Sequence, residues 1–119
     1  MKLIKAFVRT TRVDEVVRAL EGAGAPGITI SRVHGVGYGY EPLLFTFAPS
    51  EYHKMLEVSK IEVVCCATDV ECLVEALVKA ARTGVRGDGI VFVTPVEQAI
   101  KVRTGDKNSM ALENSGGTI

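Results

Sequence analysis

The chain has 119 residues, 14 basic and 14 acidic side chains, 47% hydrophobic residues and three cysteines. That length supports one core that buries roughly two thirds of the unfolded surface, so neither disulfides nor a structural metal is required for folding. A net charge of zero argues against the basic stripe with which nucleic-acid binders displace counterions from phosphate. No apolar run reaches the ~18 residues of a membrane-spanning helix, and the opening MKLIKAFVRTTR turns charged again too soon for a secretory signal, so the expected compartment is the cytoplasm.

The first run, Lys2-Leu3-Ile4-Lys5-Ala6-Phe7-Val8, reads as a short strand. After Thr10-Thr11, the apolar positions Val13, Val16, Val17 and Leu20 recur at helical spacing, with Asp14, Glu15, Arg18 and Glu21 opposite. The helix is expected to end in the stretch Gly22-Ala23-Gly24-Ala25-Pro26-Gly27, where a proline cannot continue it. A strand is predicted over residues 28–36. Residues 35–54 lack a clear core-facing period, and about twenty such residues inside a small domain mark a functional loop or a hairpin.

Order resumes with the strand Ser59-Lys60-Ile61-Glu62-Val63-Val64-Cys65-Cys66. Thr68 with Glu71 reads as a capping box for a second helix whose apolar stripe is Val70, Leu73, Val74, Leu77, Ala80 and Ala81. Thr83-Gly84 should end it. A glycine-rich turn over residues 83–89 leads into the strand Ile90-Val91-Phe92-Val93, then a short extended piece at residues 100–103 and a polar tail, expected to be mobile. Strand, helix, strand, loop, strand, helix, strand is the split βαβ order of a ferredoxin-like α+β domain: a four-stranded antiparallel sheet with both helices on one face and a short extra C-terminal strand. Apolar residues on both sides of the strands imply that the second sheet face is buried against sister subunits.

Fold alone names no function. A turn such as Gly87-Asp88-Gly89 exposes consecutive backbone N–H groups with no Cβ in the way, a nest suited to phosphate oxygens, although a plain tight turn looks the same. In Lys101-Val102-Arg103, strand alternation aims two cations to one side, which suits a polyphosphate clamp or equally a charged sheet edge. Catalysis has little support. Lys60, Glu62 and Asp88 offer an acid/base set on paper, but no Ser-His or Cys-His pairing is visible, and His34 and His53 lie far apart. Cys65, Cys66 and Cys72 lack zinc or redox spacing and read as small hydrophobic residues, so no metal site is expected.

The residues that now carry a resemblance are Lys60-Ile61-Glu62-Val63-Val64, the run from Ala80 through Arg82-Thr83-Gly84-Val85-Arg86-Gly87-Asp88-Gly89 to Val93, and Ile100-Lys101-Val102-Arg103-Thr104-Gly105. Gly27-Ile28-Thr29-Ile30 and Gly35-Val36-Gly37 match as well. Over residues 1–106 the chain resembles the PII nitrogen-regulatory signal-transduction proteins.

The resemblance implies a homotrimer of ferredoxin-like subunits that binds ADP, AMP or ATP in the clefts between subunits and needs no cofactor. It places the base near Thr29, Glu62 and Val64, counts Gly27, Ile28 and Val63 among the nucleotide-binding positions, and puts Gly35, Val36 and Gly37, also nucleotide-binding, at the root of a target-binding T-loop over residues 36–54. Phosphates would meet a B-loop over residues 83–89, chiefly Arg86, Gly87, Asp88 and Gly89, and, from the neighbouring chain, Lys101 and Arg103 of a C-loop over residues 101–105; residues 107–119 would form the tail. The implied target of the T-loop is a membrane transporter or a metabolic enzyme. Here that loop carries Tyr38, Tyr40, Leu43, Leu44, Phe45 and Phe47, more apolar than in the family at large.

Several positions depart from the family pattern. Ile90 stands where a basic residue is usual, and Lys101 where Arg is common. Gly39 and Val58 replace the Gln and Lys that serve magnesium and 2-oxoglutarate, and Glu51, beside Tyr52, replaces the tyrosine that some members modify. The expectation is therefore a nucleotide-binding regulator without 2-oxoglutarate sensing, not an enzyme. The alternative is a metal-responsive or structural trimer like the CutA-type proteins, against which the glycine turn and the Lys101/Arg103 pair both stand.

Overall fold

The computed structural model describes residues 1–34, 58–85 and 87–113. The strands are β1 (Lys2–Arg9), β2 (Thr29–Val33), β3 (Val58–Cys65) and β4 (Gly89–Pro95), and the helices are α1 (Val13–Gly22) and α2 (Val70–Ala81). They form one four-stranded sheet in the order β2-β3-β1-β4, and every pairing is antiparallel. This is the ferredoxin-like α+β arrangement expected from the order of the elements.

Alternation decides which sheet face is buried. In β1, Ile4, Ala6 and Val8 are fully buried, and their β3 partners across the ladder are Val63, Ile61 and Ser59. Those side chains meet Val16 and Leu20 of α1 and Leu73, Leu77 and Ala81 of α2 in a single cluster, so both helices cover the same face. Packing of that stripe stabilises the two short helices more than their intrinsic propensity does. Ser59, the buried polar residue of this layer, shares a 2.9 Å hydrogen bond with the Thr10 hydroxyl.

The opposite face presents Leu3, Lys5 and Phe7 from β1, Lys60, Glu62 and Val64 from β3, Thr29 and Ser31 from β2, and Ile90 and Phe92 from β4. Phe7 and Phe92 stack edge to face at 6.3 Å. Lys60 and Glu62 pair at 3.7 Å.

Helix α1 ends as its glycines suggest. Gly24 adopts φ 88, its N–H donates to Glu21 O at 3.1 Å and the Ala25 N–H donates to Leu20 O at 3.0 Å, a Schellman closure that a left-handed glycine permits. Helix α2 starts differently from expectation. The Thr68/Glu71 capping box does not form: Thr68 lies inside a 3-10 turn, Ala67–Asp69, and the N-cap residue Asp69 has helical backbone angles with no side-chain cap. A capping side chain requires an extended residue at the junction, and the 3-10 turn removes it. At its other end, α2 is capped from outside, with Arg12 donating to Ala80 O from Nη2 at 2.7 Å and from Nε at 3.1 Å.

The expected extra strand at residues 100–103 reduces to one bridge, Ile100 with Lys107, around a turn. The segment expected to be a mobile tail is folded in its first part, where Asn108–Leu112 forms a 3-10 helix.

Candidate functional site

The glycine turn is organised by an acidic side chain. Asp88 accepts the N–H groups of Thr83 and Gly84 on Oδ2, both at 2.9 Å, and the Thr83 hydroxyl and Arg9 Nε on Oδ1. Burial pushes the carboxyl up, but those hydrogen bonds outweigh it and hold Asp88 at about 2. Its lone pairs are therefore committed to the turn, which removes Asp88 from any acid/base role. Gly87 and Gly89 adopt φ 97 and φ 118. At Gly89 a Cβ would lie 1.8 Å from Phe7 O, so packing against β1 demands glycine there irrespective of any ligand.

A separate groove of about 1260 Å³ opens on the sheet face away from the helices, lined by Leu3, Gly27, Thr29, Glu62, Val64, Lys101 and Arg103, among others. Strand register explains the grouping: Leu3 pairs with Val64 and Thr29 with Glu62. The cations arrive by a hairpin. Lys101 N–H donates to Asp106 O and Gly105 N–H to Lys101 O, both at 2.8 Å, while Asn108 N–H donates to Ala99 O at 2.7 Å. Lys101 thus precedes a turn and Arg103 lies within it, instead of the two alternating along a strand, yet both reach the groove.

The glycine turn does not share that groove. Asp88, Gly89 and Ile90 line a smaller recess of about 280 Å³ with Val8, Leu77 and Arg82, below the ~300 Å³ at which small-molecule pockets begin. Along β1, Gly89 pairs with Val8, about 17 Å from Leu3 at ~3.3 Å per residue. Lys101 and Arg103 therefore sit with Thr29, Glu62 and Val64 of their own chain, and the glycine turn is the part held apart. Within one chain, then, the glycine turn and the base-side residues do not line a common groove.

Two of the expected residues turn their side chains toward the core. Val63 is 1% exposed and packs in the core on the helix side, so its side chain cannot line the groove that Glu62 and Val64 flank. Ile28 is partly buried against the same core. Of the other expected residues, Gly35, Val36, Gly37, Arg86 and the loop residues Tyr38, Tyr40, Leu43, Leu44, Phe45 and Phe47 lie outside the described residues, as do Gly39, Glu51 and Tyr52. Val58 is 5% exposed, in register with Arg9 and Val33, and offers no charge to a carboxylate. Sequence reasoning missed Leu3, whose alternation with Ile4 marks it for the groove face, and the contribution of Ala111, Leu112 and Glu113, for which the polar tail gives no periodic signal.

The family model described as "Nitrogen regulatory protein P-II" matches residues 1–106. The chain belongs to the P-II family. It is 41% identical over 113 residues to a nitrogen regulatory protein P-II of Nostoc punctiforme, covering 94% of this chain and 100% of the relative. The corresponding protein of Azospirillum brasilense is 41% identical over 115 residues, with 94% and 100% covered. A nitrogen regulatory protein P-II 2 of Methanothermobacter thermautotrophicus is 36% identical over 113 residues, with 94% and 97% covered. As a P-II family member the protein is a nitrogen-regulatory signal-transduction protein.

Chemistry elsewhere in this P-II chain is sparse. Burial pushes the Cys65 thiol up, with Asp69 and Cys66 adding to the effect, so it is not the thiolate that metal binding or nucleophilic attack requires. Among the described residues, no three His, Cys, Asp or Glu side chains converge on a metal-sized site, and no helix is long and apolar enough to cross a membrane.

Proposed function

We propose that this P-II protein is a cytoplasmic homotrimeric regulator that binds adenine nucleotides in clefts between subunits and acts on a target protein through residues 36–54, without catalysing a reaction. The observation that carries the proposal is the convergence of Lys101 and Arg103 on the groove of Thr29, Glu62 and Val64. That groove combines an apolar wall for a base, a carboxylate and a hydroxyl for hydrogen bonding, and two cations for phosphate oxygens. Since the glycine turn stands at the other end of β1 in the same chain, a second copy would complete the phosphate end by presenting its own turn to the groove.

Ligand preference follows from charge. Ile90, beside the turn, is apolar and half-buried, so the phosphate end lacks a cation there. Each charge-assisted hydrogen bond lost costs about 1.5–3 kcal/mol, which favours ADP or AMP relative to Mg-ATP. Apolar, buried Val58 offers nothing to 2-oxoglutarate, and response to that effector is lost. The loop over residues 36–54 engages a membrane transporter or a metabolic enzyme through its aromatic and aliphatic side chains.

Calorimetric titration of ADP, AMP and ATP, with and without magnesium and 2-oxoglutarate, tests this reading. ADP or AMP should bind saturably and independently of magnesium. ATP binding that requires magnesium and is strengthened by 2-oxoglutarate would overturn the preference, and rapid turnover of the nucleotide would overturn the regulatory assignment.

A further inference from the structure

The wall of the groove opposite the sheet is built by the chain's own C-terminal segment. Ala111, Leu112 and Glu113 line the same space as Lys101 and Arg103, and Lys101 Nζ donates a 3.0 Å hydrogen bond to Glu113 O. The hairpin beneath makes the contact possible. Asn108 adopts a left-handed φ of 58, and its Oδ1 accepts the Ala99 N–H at 3.3 Å, which turns the chain back so that the 3-10 helix Asn108–Leu112 lies over the groove. Leu112 is half-buried there, whereas Val102 at the hairpin tip is 99% exposed.

The Glu113 carbonyl that accepts from Lys101 Nζ is a neutral partner. A phosphate oxygen is a stronger one, because a hydrogen bond charged on both sides is about twice as strong as a neutral pair. A polyphosphate that draws Lys101 toward itself removes the contact that fastens Glu113, and a base entering the groove needs the space that Ala111 and Leu112 border.

We infer that residues 108–113 form an internal strap that competes with the nucleotide for Lys101 and for the groove, so that ligand binding releases the C-terminal segment. This rests on the reading of the groove as a nucleotide site. Affinity is then set partly by strap docking: a strap seated about three quarters of the time raises the apparent Kd about fourfold over that of the open groove. Release of the strap gives each subunit a second ligand-dependent surface, separate from residues 36–54.

Leu112→Ser in the 119-residue chain loosens the strap without touching either cation. ADP titration of the variant and the wild type, followed by amide hydrogen exchange of residues 110–113 with and without ADP, gives two independent readouts. ADP should bind Leu112→Ser about threefold to fourfold more tightly, and the amides of residues 110–113 should exchange faster in the wild-type ADP complex than in the free protein. Equal or weaker affinity of the variant, together with amides that become more protected on binding, would overturn the inference by showing that the segment closes over the ligand as part of its site. If wild type and variant both fail to bind ADP, AMP or ATP, the nucleotide reading itself falls, and the strap with it.

Discussion

Replacing Gly89 by alanine should disrupt the junction between β1 and β4. The added Cβ would lie 1.8 Å from Phe7 O, 2.9 Å from Phe7 C and 3.2 Å from Val8 Cα, on a residue with φ +118. Restoring an ordinary C···O contact of ~3.3 Å requires a displacement of about 1.5 Å. β1 cannot supply it, because it is paired on both sides and anchors Ile4, Ala6 and Val8 in the core. The left-handed backbone costs a side chain about 1–2 kcal/mol, overpacking about 1–3 kcal/mol, and the loosened end of the ladder about 1 kcal/mol more. A total of about 3–6 kcal/mol is a large part of the 5–15 kcal/mol typical of a domain. Thermal unfolding at matched protein concentration should show Tm lowered by at least ~10 °C. Gly27→Ala is the control, since nothing lies within 4 Å of its Cβ and its φ is not left-handed; it should change stability by no more than about 0.5 kcal/mol. A Gly89→Ala protein that melts within about 2 °C of wild type would refute the packing explanation for that glycine.

Other consequences can be checked in parallel. Asp88→Asn keeps the shape but removes the charge that Arg9, Thr83 and Gly84 satisfy; because the Thr83 and Gly84 amides are exposed and rehydrate, chemical denaturation at neutral pH should show a loss of only about 1 kcal/mol. The folded-state pKa of Asp88 is lowered from 3.8 to about 2, so its contribution is present above the unfolded value and is lost as pH falls through that interval. Wild-type stability should therefore decline between pH 3.8 and about 2 more steeply than that of Asp88→Asn, and parallel curves would contradict the assignment. Leu77→Ala, fully buried between helix and sheet, should cost about 2–5 kcal/mol in urea unfolding. Lys101→Gln and Arg103→Gln should each weaken ADP binding at least tenfold, about 1.4 kcal/mol, with unchanged melting of the free protein.

Periodicity made the scaffold legible. Ile4, Ala6 and Val8 at period two and Leu73, Leu77 and Ala81 at helical spacing announce burial directly, because each element must hide one face. The same alternation separates the Val63 side chain from those of Glu62 and Val64, a direction that a contiguous motif does not carry. The capping box failed for a different reason: Thr68 and Glu71 have the right spacing, but whether the chain enters α2 extended or through a 3-10 turn depends on how the end of β3 meets the helix. Lys101 and Arg103 were legible as a pair of cations but not as parts of a turn, since Gly105 and Asn108, with φ 75 and φ 58, set the hairpin through backbone conformation. Asp88 illustrates the remaining gap. Between two glycines it looks like an exposed turn residue, and only the approach of Arg9 from β1 reveals it as the fastening of the loop.

Mixing of subunits tests most directly whether the groove of one chain is completed by the glycine turn of another. Lys101→Gln/Arg103→Gln chains carry a defective groove and a sound turn, and Asp88→Ala chains carry the reverse. Neither should bind ADP alone. When the two are unfolded and refolded together in equal amounts, random assembly into closed rings should regain about one quarter of the wild-type binding sites. Recovery of no sites, from mixed oligomers whose wild-type counterpart binds one ADP per chain, would contradict a site shared between subunits.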